Sequence, residues 1–110
     1  MILKMIVAIL TIATGLLALI KPASIYGFTG LAATGPRGIS EIRAIFGGLL
    51  IALGIAPLIL GLPAYQTLGA GYLGIALVRL ISIVFDKSYA SSNWISLAIE
   101  ILFGIILILR

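Results

Sequence analysis

Four times in 110 residues this chain runs almost free of charge for about 17–24 residues, the length a helix needs to cross a hydrocarbon core of about 30 Å. The runs extend from about Leu3 to Ile20, Ile39 to Leu62, Ala64 to Phe85 and Asn93 to Leu109. Lipid leaves a backbone few choices. Every N–H and C=O must be bonded internally, so each run should be a helix. No period-two alternation supports a barrel. The predicted architecture is all-α: an integral membrane four-helix bundle of up-down topology, built as a single domain over residues 1–110. A signal peptide would also begin with a cation and an apolar run, but Lys21-Pro22 makes a poor cleavage region. The first run is therefore read as a span.

Composition agrees. Hydrophobic residues make up 63% of the chain and charged ones 9%, against about 45–50% and about 25% in soluble domains. A soluble fold this short could not hide so much apolar surface. Cysteine and histidine are both absent, which removes the commonest general base and the usual soft and borderline metal ligands. No metal site and no cofactor is expected. The net charge of +4 comes from scattered cations, not the basic patch that a nucleic-acid partner requires. The chain is expected in a membrane. Membrane lipids are the first expected partners.

The connections differ. KPASIYGFTGLAATGPRG is long and rich in Gly and Pro, but Ile25, Tyr26, Phe28 and Leu31 suit a membrane interface, with a short helix after Pro22. The second connection is a tight turn at Gly61-Leu62-Pro63. The third, DKSYASSN, is the most polar stretch; Ser92 or Asn93 could cap the fourth helix, and Tyr89 and Trp94 suit an aromatic belt. Pro57 inside the second span should kink it or be accommodated by a neighbour. Cations in the long connections mildly favour placing those on the cytoplasmic side.

In an up-down order, all four charges within the spans fall in one half of the bilayer. Glu41 and Arg43 enter span two from the loop side. Arg79 lies about 9 Å in along span three and Glu100 about 10 Å in along span four, both from that same side. Tyr72, Arg79, Ser82 and Asp86 share one face of span three, and Ser96, Glu100 and Gly104 share one of span four. Arg79 and Glu100 are the expected pair; one of Glu41 and Arg43 could reach them. Three readings stand. The cluster is a pocket for an anion, a lipid headgroup or a proton; it is a clamp between helices; or Arg79 snorkels to the headgroups.

Small residues form a second pattern. Gly47, Gly54 and Gly61 recur every seven residues on span two, with Arg43 and Pro57 on about the same face. Ala8, Gly15 and Ala18 do likewise on span one. Gly69, Ala70, Gly71 and Gly74 crowd span three, and Gly104 sits in span four. Such faces let membrane helices approach closely, within the chain or against a partner. The run Gly69-Ala-Gly-Tyr-Leu-Gly74 is not a dinucleotide loop, because no strand precedes it.

GISEIRAIFGGLLIALG (Gly38–Gly54), LVRLISIVFD (Leu77–Asp86) and Glu100 together resemble a bacterial family of small four-span membrane proteins known as domain of unknown function 4345, DoxX-like in layout. The similarity covers nearly the whole chain. It implies a four-helix bundle with its charged residues clustered at one end, a place in a bacterial inner membrane or an internal one, and no established activity. Lys87 stands where the resemblance leads one to expect a glycine.

The functional expectation is a membrane protein without catalytic activity. It would be an accessory or stabilising subunit of a larger membrane complex, or a homo-oligomer. The alternative is a binder or transporter of a small anionic or lipid-like ligand at Glu41, Arg43, Arg79 and Glu100. An enzyme acting on lipids would need a nucleophile, and none is specified.

Overall fold

The computed structural model describes all 110 residues, and they fold without a strand into four helices long and apolar enough to cross a membrane. These are α1 (Ile2–Ile20), α2 (Pro36–Leu60), α3 (Leu62–Phe85) and α4 (Ser91–Ile108). Their bounds lie within about three residues of those expected from the apolar runs, as helix ends commonly do. Lys4 lies buried inside α1. The first connection carries a 3₁₀ turn at Pro22–Ile25 and a helical turn at Tyr26–Thr29, the short helix expected after Pro22.

The chain divides into two compact units, Met1–Ile59 and Leu60–Arg110. In the first, α1 and α2 run antiparallel and touch through small residues. A Cβ at Gly54 would stand 2.6 Å from Ile12 Cγ1 and 2.8 Å from the Ala8 carbonyl oxygen. One at Gly15 would stand 2.8 Å from the Gly47 carbonyl oxygen, and one at Gly47 3.0 Å from Leu19 Cβ. Ala8, Gly15 and Ala18 are buried. The small faces of spans one and two therefore close on each other within the chain.

One feature of α2 departs from the expected helix. Ile42–Leu49 winds as a π-helix. Ile42 and Gly47 are the buried residues of this segment, and Arg43 is exposed rather than sharing the buried glycine face expected of it. Pro57 is fully buried within the α-helical part of α2.

In the second unit, α3 and α4 form another antiparallel pair. Tyr65, Leu68, Gly69, Ala76 and Ile83 are buried along α3, with steps of seven from Gly69 to Ala76 and Ile83, and Leu97, Glu100, Gly104 and Leu107 along α4 at steps of three or four. A Cβ at Gly69 would stand 2.9 Å from Leu107 Cβ, and one at Gly104 2.5 Å from Leu73 Cδ2. Tyr72 meets Phe103 edge to face, with centroids 5.6 Å apart.

Two glycines expected to pack do otherwise. Gly61 lies outside the helices at φ 83°, with open space around its Cβ position. Its carbonyl accepts the N–H groups of Ala64 and Tyr65, so it serves the turn into α3. Gly74 is exposed with nothing within 4 Å. The seven-residue and same-helix patterns marked these positions, but the turn and the outward face of α3 decide their surroundings.

Candidate functional site

The arginine–glutamate pair is built by the second unit. Arg79 sits on the inward stripe of α3, one turn from Ala76 and one from Ile83. Those two form a small buried cluster with Leu97 of α4. The close approach at Gly69 and Gly104 brings the two helices within side-chain reach higher up. Arg79 Nε donates to Glu100 Oε1 at 2.8 Å and Nη2 to Oε2 at 2.7 Å. Nη1 donates to Asn93 Oδ1 at 2.9 Å. Two parallel charge-assisted bonds fix orientation as well as distance. The two side chains keep 32% and 11% of their exposure, the carboxylate being the deeper.

Asn93 completes the arrangement. Its Nδ2 donates to the Ser88 carbonyl at 3.1 Å and to Ser88 Oγ at 3.0 Å. It thereby ties the guanidinium to the third connection. It does not cap α4, and neither does Ser92: the helix begins at Ser91 with Ala90 before it and no side-chain cap. The amide is already committed to Arg79 and Ser88. Asn93 lies seven residues before Glu100 on one helix face, and both bond Arg79. Nearby, the Ser82 hydroxyl donates to Asp86 Oδ2 at 2.6 Å.

The other two charges belong to the first unit. Glu41 pairs with Arg37 one turn earlier on α2, Nη1 to Oε1, with side chains 80% and 55% exposed. This is an ordinary i,i+4 surface pair, and its spacing was visible in PRGISE. Arg43 lies exposed on the π segment. Arg79 and Glu100 are thus brought together, while Glu41 takes its partner from its own helix.

Lys87 holds the one positive φ outside glycine, at 54°. The third connection turns at the place where the resemblance calls for glycine, and here a lysine adopts that left-handed conformation.

Chemically, the pair is neutral, bidentate and closed at one end by an amide. No buried side-chain nitrogen or oxygen anywhere in the chain lacks a partner. Such an arrangement can hold two helices in register. Its partly open guanidinium edge is the one part able to meet something else. No curated protein and no solved structure matches this chain significantly. One family model does, along all of residues 1–110, and the chain, with its four candidate membrane spans, belongs to that family, described as Domain of unknown function (DUF4345).

Proposed function

We propose that this protein is a non-catalytic membrane component, an accessory or stabilising subunit of a membrane complex or a homo-oligomer, whose charged residues serve its own fold. The observation that carries this is the closure of the Arg79–Glu100–Asn93 arrangement: each carboxylate oxygen accepts from Arg79, and the amide holds the guanidinium from the third connection. A pair that compensates its own charge offers little net attraction to a ligand. Outside the helix contacts, the surfaces are apolar and of membrane length, so contact with lipid or another membrane protein is what they suit.

A second reading has one observation in its favour. The Arg79 side chain keeps about a third of its exposure, and not every guanidinium N–H is used by Glu100 and Asn93. A small anion or an anionic lipid headgroup could bind that edge. Native mass spectrometry of the protein, extracted gently from its membrane, separates the two. A homo-oligomer or a partner protein in fixed ratio, unchanged in composition by Arg79→Gln, supports the accessory reading. A monomer carrying a small adduct that disappears in Arg79→Gln overturns it in favour of the ligand site.

A further inference from the structure

The first unit contains a cavity that the arginine–glutamate pair does not touch. It measures about 320 Å³, and its lining includes Pro22, Ala23, Tyr26, Ala33, Ile39 and Ile42. Its walls come from the first connection and the opening turns of α2. The connection lies directly on the helix: a Cβ at Gly38 would stand 3.1 Å from Ala33 Cβ. The cavity lies where α1 ends at Ile20 and α2 begins at Pro36. That is the level at which headgroups give way to acyl chains.

Within two residues of its lining stand three cations, Lys21, Arg37 and Arg43, and one carboxylate, Glu41. Lys21 immediately precedes the lining residue Pro22, and Arg43 immediately follows Ile42. Arg37 is paired with Glu41, but neither Lys21 nor Arg43 pairs with a carboxylate. Both are exposed. An apolar hollow at the membrane boundary, flanked by two uncompensated cations, is complementary to an amphiphile with an anionic head.

We infer that this cavity is a binding site for an anionic phospholipid. Part of the acyl and glycerol region would occupy the hollow, and the phosphate would lie against Lys21 and Arg43. The volume is near the lower end of small-molecule sites, about 300–1,000 Å³, so it takes part of a lipid and leaves the rest in the bilayer. The Tyr26 ring, amphipathic and half exposed, suits that boundary. The site is separate from the Arg79–Glu100 pair and does not rest on its interpretation.

The test is native mass spectrometry of the full chain offered equimolar phosphatidylglycerol and phosphatidylcholine. The unaltered protein retains phosphatidylglycerol in preference. Lys21→Gln and Arg43→Gln, at exposed positions, each reduce that preference about fivefold, the effect of one basic residue near a membrane surface. Lys87→Gln, which removes a cation from the third connection, keeps the preference. Ala33→Trp fills the hollow and lowers retention of both lipids; circular dichroism checks its helix content, and the cation variants decide alone if it fails to fold. Equal retention of the two lipids overturns the proposal. So does a preference that survives loss of both cations, one that falls as far in Lys87→Gln, which would mean diffuse surface attraction, or one that a folded Ala33→Trp protein keeps.

Discussion

The two helix pairs solve one packing problem in different ways. Both bring backbones close with glycine: Gly15, Gly47 and Gly54 between α1 and α2, Gly69 and Gly104 between α3 and α4. At their loop ends they part. The first pair meets its charges on the surface, with Arg37 and Glu41 exposed on one helix and a π turn facing Ile42 inward. The second carries its charges into the interface and joins both helices through them. The contrast teaches where a charge can be structural. An i,i+4 pair on one helix contributes a few tenths of a kcal/mol and fixes nothing about a neighbour. A bidentate pair across two helices fixes register and depth, and removing one side leaves the other charge in apolar surroundings.

That difference can be broken from its strongest point downward. Glu100→Gln should cost about 2–4 kcal/mol of unfolding free energy in detergent; the lower part of that range reflects the partial exposure of Arg79. A loss below about 0.5 kcal/mol would reduce the clamp to the rank of the surface pair. Next comes packing. Gly54→Leu should cost about 1–3 kcal/mol, because the new side chain meets Ile12 and the Ala8 backbone. Gly74→Ala, at a position with open space, should be neutral or stabilising by up to about 1 kcal/mol. Comparable losses at both glycines in chemical unfolding would mean that the small faces are not distinguished by contact. The smallest effect lies in the third connection. Lys87→Gly should stabilise by about 0.5–1 kcal/mol by removing a side chain from left-handed backbone. A lower melting temperature in that variant would show that the lysine side chain outweighs its backbone penalty.

Much of this was legible before any coordinates. Four membrane-length runs dictate four helices, since lipid forbids unpaired backbone. Arg79 and Glu100 follow from depth on consecutive antiparallel helices. The small faces of spans one and two follow from Ala8, Gly15, Ala18, Gly47 and Gly54 at helical spacing; that Gly54 meets Ala8 and Gly15 meets Gly47 does not. The rest depended on features with no distinct periodic signature. Nothing in IRAIFGGL distinguishes α from π winding, so the π segment and the exposure of Arg43 within it were hidden. Asn93 stands at a helix start, where a short polar side chain suits a cap; only the nearness of Arg79 and Ser88 gives it another partner. Gly61 kept the seven-residue step, yet the helix ends before it and a positive φ governs its role. Glu41 was weighed against distant arginines, although Arg37 stood one turn away.

The most direct measurement of the central claim is a double-mutant cycle at Arg79 and Glu100, using Arg79→Gln, Glu100→Gln and both together, with the same cycle at Arg37 and Glu41 beside it. Unfolding free energies of seven proteins in one detergent supply both cycles, which share the unaltered chain. The account predicts a coupling of about 1–3 kcal/mol for the first pair, the double variant losing less than the sum of the singles, and a coupling within about 0.5 kcal/mol for the second. Additive losses at Arg79 and Glu100, or equal couplings in the two pairs, would contradict a clamp that holds α3 to α4.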